Sequence, residues 1–192
     1  WRNGELINSF IYACTPINDG SFIMKEGPCR VVNSLLMAKY NGYAATLGYG
    51  EAPASVGSLE IVNSIFADAD GPFYVVNSNM TSRNSLYFDM RGGFFEGGVG
   101  NIGNVGSLNS RPGCSNNISV DPQFAYLAEH DFAPAIGSPL INAGTSAGVL
   151  LPSFDYFGNP RITGAQPDVG PIEFSAVHSH PTIDSAEWAM SP

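Results

Sequence analysis

Pairs of apolar residues flank an Asn-Ser dipeptide at Leu6-Ile7-Asn8-Ser9-Phe10-Ile11, at Val31-Val32-Asn33-Ser34-Leu35-Leu36 and at Ile61-Val62-Asn63-Ser64-Ile65-Phe66. The copies stand 25 and then 30 residues apart. At such a spacing one turn of a solenoid stacks on the next and buries a face that no single turn could bury alone. Each Asn lies between two short β-favouring runs, so the chain must turn there without leaving the sheet, and Asn tolerates the left-handed conformation this demands. A third run precedes each following pair: Ser21 to Met24 before Asn33, Tyr43 to Leu47 before Asn63, and Phe73 to Val76 before Asn84. The pattern predicts three strands per repeat. Asn84-Ser85-Leu86-Tyr87-Phe88 continues it, with Arg83 in place of the expected apolar residue and Asn77-Ser78 as an extra candidate turn.

This arrangement, over roughly residues 4 to 91, resembles a right-handed parallel β-helix of the pectate-lyase-like superfamily. In that fold three parallel sheets wrap a narrow core and the turn asparagines stack into a ladder. The expected class is all-β, and an antiparallel sandwich with regular turns is the competing arrangement. Residues 92–118, which begin Gly92-Gly93-Phe94-Phe95-Glu96-Gly97-Gly98, read as a long loop leaving the last regular turn. The first unit is therefore 1–118, repeats followed by a Gly/Asn-rich loop.

Five separated blocks then follow in order: Asp121-Pro122-Gln123-Phe124, Asp131-Phe132, Gly137 to Gly144, Asp155 with Gly158-Asn159-Pro160-Arg161, and Pro167 to Phe174. Residues 119–174 resemble the C-terminal segment of bacterial surface β-helix proteins of the choice-of-anchor Q type. Asn142 stands where that family usually has Asp, and Pro171-Ile172 where it usually has Ala-Tyr. The resemblance implies a C-terminal cap, because the last turn of a parallel solenoid exposes apolar core and unpaired backbone. Asp155, Arg161 and Asp168 are expected to pin the cap as an ion-pair network. Residues 175–192 are expected to be a tail or, as the resemblance implies, a linker to a further module, and His178-Ser179-His180 lacks a third metal ligand nearby. At the other end the repeats begin at Leu6 with no covering helix, so upstream turns or another chain are expected there. Trp1-Arg2-Asn3-Gly4 carries neither an initiator Met nor a signal peptide, and the chain reads as a piece of something longer.

Charged residues make up 13% of the chain, about half the usual share, which argues against solvated helices. The net charge of −9 and the dispersed basic residues exclude nucleic acid as a natural partner and disfavour polyanions, whereas neutral glycans meet no such penalty. No apolar run is long enough to span a membrane as a helix. Cys14, Cys29 and Cys114 permit at most one intrachain disulfide.

The superfamily includes polysaccharide lyases, which need a base and a cation near a uronate carboxylate. Lys25 and Arg30 are the best-placed candidates, with Arg83 and Arg91 on later turns. Hydrolysis would use paired carboxylates, for which Asp68, Asp70 and Asp89 are candidates; the same oxygens suit Ca²⁺, the one cofactor they allow. Tyr40, Tyr43, Tyr49 and Tyr87, with Phe94 and Phe95, offer flat faces for stacking a neutral sugar ring. The leading expectation is an extracellular or cell-surface module that contacts polysaccharide without catalysis in this chain. A lyase or hydrolase with its catalytic turns partly upstream is the first alternative, and an end-on stacking stalk subunit the second.

Overall fold

A computed structural model describes residues 4–13, 23–24, 28–38, 43–47, 57–69, 71–75, 78–92, 94–96, 100–127 and 131–177. Twelve strands fall into four rows. The first row is β1 (Glu5–Ile7), β2 (Phe10–Ala13) and β3 (Ile23–Met24), and the second is β4 (Pro28–Val32), β5 (Leu35–Ala38) and β6 (Tyr43–Leu47). The third is β7 (Gly57–Val62), β8 (Ile65–Ala69) and β9 (Gly71–Val75), and the fourth is β10 (Ser78–Arg83), β11 (Leu86–Met90) and β12 (Phe94–Glu96). Every third strand joins the same parallel sheet: β1-β4-β7-β10 (sheet A), β2-β5-β8-β11 (sheet B) and β3-β6-β9-β12 (sheet C). The protein is thus all-β, built from parallel sheets in this order, with a single short helix among the described residues. Each predicted third run is a strand.

Register explains the repeat. Leu6, Val31 and Ile61 pair in sequence across sheet A, and Phe10, Leu35 and Ile65 across sheet B. Between them Asn8, Asn33, Asn63 and Asn84 all sit at φ of 47 to 50°, the left-handed conformation that Asn adopts at least cost. The residue after each Asn does the row-to-row bonding. The amides of Ser9, Ser34 and Ser64 donate to the hydroxyl of the next row's serine at 3.2, 3.3 and 3.1 Å, and each serine hydroxyl donates to the carbonyl two residues before it.

Within the expected loop over 92–118 the described residues include two strands and a short helix. β13 (Gly100–Ile102) folds back antiparallel on β12 and leads into α1 (Val105–Asn109), capped by the Asn104 side chain. The chain then returns to the corner: Ser115 bridges Arg83 and Ile118 bridges Leu86, so Asn116, at φ 55°, and Asn117 extend the Asn and Ser columns by a fifth row. Asn117 Oδ1 accepts the Ser85 amide, as a serine hydroxyl does in the rows before. Tight Gly-rich turns concealed this row, because Ser-Asn-Asn replaces the apolar-Asn-Ser signature.

Two apolar clusters follow from the pairing. Val31, Leu59, Ile61 and Met80 from sheet A meet Leu36, Phe66, Ala69 and Tyr87 from sheet B in an interior cluster, which Cys29, Ile102, Leu108 and Cys114 complete. The opposite face of sheet B, carrying Leu35, Met37, Ile65, Ala67 and Leu86, is covered by Phe132, Leu140 and Val169. Sheet B is therefore apolar on both faces and covered on both over its first residues, which is why two consecutive apolar residues follow each Asn-Ser.

The covering segment is where the expected cap lies differently. Residues 138–174 run along the corner of the first four rows rather than across the end of the stack. Asn84 donates to Ala143 O, Asn63 to Thr145 O, Asn33 to the Asp168 and Gly170 carbonyls, and Asn8 to Phe154 O. The asparagine side chains thus dock this segment.

Candidate functional site

The outward positions of sheet B form the floor of a groove. Tyr12, Met37, Ala67 and Phe88 lie in register, one from each row. Facing them is a wall from the antiparallel pair β14 (Phe124–Tyr126) and β15 (Asp131–Pro134) and the residues that lead into it. Pro122, Gln123, Phe124, Leu127 and Phe132 line this wall, and the groove encloses about 520 Å³. The Asp121 carboxylate accepts the Gln123 amide at 2.8 Å, and Gln123 itself sits at φ 51°, which fixes the start of the wall. Phe132 packs against Phe10 and, edge-on, against Phe124, tying the wall to the floor.

Three carboxylates line the groove: Asp68, Asp89 and Asp121. Asp68 and Asp89 follow Ala67 and Phe88, and both are left-handed at φ 48 and 51°. The register on either side places them on adjacent strands, whose backbones lie about 4.8 Å apart. Arg91 binds Asp68 at 2.7 Å, offsetting one of the two charges, while Asp89 is exposed. Among the described residues no group of three or more His, Cys, Asp or Glu side chains is arranged to hold a metal ion.

The remaining candidates are distributed elsewhere. Arg30 lies on the outward side of sheet A between Glu5 (2.7 Å) and Glu60 (2.8 Å), and Glu60 continues to Arg83 (3.0 Å). Its hydrogen bonds to Glu5 and then to Glu60 raise the guanidinium pKa further, so Arg30 is a paired structural charge remote from the groove. Tyr87 is a correction: it is 1% exposed, stacked on Phe66 at 5.3 Å, and its hydroxyl is bound to Ser82 at 2.6 Å. Burial drives its phenol pKa upward, so Tyr87 is a core residue with no face for a sugar. Tyr43 begins β6, paired with Gly71 of β9 in sheet C. Lys25, Tyr40, Tyr49 and Asp70 lie outside the described residues, as do Cys14, His130, His178 and His180.

The aromatic positions that do line the groove, Tyr12, Phe88, Phe124 and Phe132, were not selected from sequence. The available signal was parity: Phe10 and Tyr12 alternate with Ile11, so they share the outward face once Ile11 points inward.

Beyond the groove, Asp155, Arg161 and Asp168 are all buried, and they close around a fourth residue, Glu173. Arg161 binds Glu173 Oε1 through Nε at 2.9 Å and through a second guanidinium nitrogen, and it also reaches Asn8 Oδ1 and Gly170 O, both at 3.0 Å. Asp155 accepts the amides of Phe157, Asn159 and Glu173, and Asp168 those of Asn142 and Phe174. The two aspartates therefore shape loops, and the direct ion pair is Arg161 with Glu173. Burial raises the Asp168 carboxyl against the pull of the two amides and of Arg161. Burial likewise pushes Glu173 up to about 7, opposed first by the Arg161 charge and then by the Asp168 amide.

Compared with protein-family models, with curated proteins and with solved structures, the chain finds no match in any of the three.

Proposed function

We propose that the chain is part of a right-handed parallel β-helix of the pectate-lyase-like kind, an extracellular or cell-surface module whose groove on sheet B binds a neutral polysaccharide. The handedness follows from the strong bias of parallel strand connections, and the every-third-strand sheet order supports the helix. The observation that carries the binding reading is the groove itself, with Tyr12, Phe88 and Phe124 beside Asp68, Asp89 and Asp121. Aromatic faces take the apolar side of a sugar ring, and carboxylates accept its hydroxyls. The net charge of −9 selects against uronate chains unless a cation such as Ca²⁺ intervenes.

A second reading rests on Asp68 and Asp89 as neighbours on adjacent strands that both line the groove, since retaining glycoside hydrolases use two carboxyl groups about 5 Å apart. One experiment addresses both. The protein is titrated with neutral and acidic polysaccharides, with and without Ca²⁺, while reducing ends and unsaturated product are followed. Saturable binding of a neutral glycan, weakened in Tyr12→Ala, supports the module; released reducing ends lost in Asp89→Asn support the hydrolase. Absence of both across the panel would overturn both readings.

A further inference from the structure

We infer that Glu173 is the proton-carrying member of a buried latch that fastens the C-terminal segment to the first row, holding it most firmly when Glu173 is protonated. The inference does not depend on the glycan reading. Three carboxylates, Asp155, Asp168 and Glu173, surround one guanidinium, Arg161, and all four residues are at most 5% exposed. Fully ionised, the cluster carries two uncompensated negative charges away from water, a costly arrangement unless it takes up a proton.

Hydrogen bonding says where the proton goes. Asp155 is satisfied by the amides of Phe157, Asn159 and Glu173 and by the Asn159 side chain. Asp168 holds one amide on each oxygen. Glu173 is asymmetric: Arg161 Nε, a second Arg161 nitrogen and the Asp168 amide all converge on Oε1, while Oε2 is buried with no hydrogen-bond partner among the described residues. A proton on Oε2 therefore removes one of the two uncompensated charges and breaks none of these bonds, because Oε1 still accepts as the carbonyl oxygen of the neutral acid. The charged groups acting on Glu173 are Arg161 and Asp168, and Asp155 accepts its backbone amide.

The cluster is a fastening because Arg161 joins it to Asn8 on the first row and Asn8 in turn donates to Phe154 O. The sign follows from the carboxyl's folded value, raised from 4.5 to about 7. Stability from the latch is complete below about pH 4.5 and is lost as pH rises through about 7, in contrast to an ordinary exposed salt bridge.

The test is thermal unfolding of the whole chain between about pH 5 and about pH 8, for wild type and for Glu173→Gln, which keeps an oxygen acceptor without the charge. The folded-to-unfolded ratio of the wild type is expected to fall by up to about two orders of magnitude across this window, and the variant to lose most of that dependence. The difference between the two curves cancels titration of His130, His178 and His180. A flat wild-type profile, or equal slopes in both proteins, would overturn the latch. Should the variant fail to fold, ¹³C-glutamate NMR of the wild type decides. One carboxyl titrating near pH 7 supports the inference, and all of them titrating between about pH 4 and 5 would refute it.

Discussion

Asn63 and Thr145 exchange two hydrogen bonds: the Asn63 side-chain nitrogen donates to the Thr145 carbonyl at 2.9 Å, and the Thr145 amide returns a bond to Asn63 Oδ1 at 2.8 Å. A single side chain thus performs two tasks, since the same residue turns the backbone at φ 50° between β7 and β8. Gly144 lies so close beneath this pair that a Cβ there would stand 3.1 Å from the Asn63 amide group and 2.6 Å from Pro167 O. The corner and the segment lying along it are built as one unit.

Asn63→Gly separates the two tasks. Glycine keeps the left-handed turn but removes both bonds, so it should cost about 1–3 kcal/mol and expose the segment around Thr145 to protease. Asn63→Ala should cost a further ~1–2 kcal/mol from backbone strain. Denaturant unfolding of both variants checks the order, and a glycine variant as stable as wild type would show that docking contributes nothing.

The serine column makes a separate demand. Ser64 Oγ accepts the Ser34 amide at 3.3 Å and donates to Val62 O at 2.9 Å, fully buried. Ser64→Ala is expected to destabilise by about 1–2 kcal/mol and to speed hydrogen exchange at the Ser34 amide. Unchanged exchange there would mean that the hydroxyls follow the row stacking without supporting it.

Arg161→Met removes the one guanidinium among three buried carboxylates. The expected loss is about 3–5 kcal/mol, the usual consequence of stranding buried charge. It should appear as lowered stability at neutral pH with glycan affinity unchanged at a temperature where the variant is folded. Affinity falling in step with the amount of folded protein fits this role; a selective loss of binding in fully folded protein does not.

The groove and the outward ion pairs of sheet A should separate cleanly. Tyr12→Ala and Asp89→Asn touch groove residues, and Asn at 89 tolerates the positive φ, so both should weaken glycan binding severalfold with little change in stability. Arg30→Ala should leave binding intact and shift stability by no more than about 1 kcal/mol, as partly exposed ion pairs do. Isothermal titration across the three variants tests this, and the largest loss of binding falling on Arg30→Ala would place the site on sheet A instead.

The column of Asn8, Asn33, Asn63 and Asn84, and the third strand of each repeat, were readable because local rules agreed there: a left-handed turn residue, flanking β-formers and a constant spacing. The fifth row is not legible in sequence because Ser115-Asn116-Asn117-Ile118 uses an amide for the serine's task and lacks the preceding apolar pair. Tyr87 is ambiguous in sequence for a related reason. A tyrosine within an apolar run serves the core or the surface depending on parity, and only the pairing of Tyr87 with Phe66 fixes which.

By itself the sequence determined where the first four rows turn and that the chain is all-β, since these depend on residues local along the chain. Tertiary structure alone decided that residues 138–174 lie along the rows instead of across their end, that Glu173 completes the cluster of Asp155, Arg161 and Asp168, and that Tyr12, Phe88 and Phe124 share a groove with Asp89. Those relations join residues as far apart as Asn8 and Arg161. They follow from which faces of sheet B remain apolar after the rows have stacked, a property of the assembled rows that no single repeat carries.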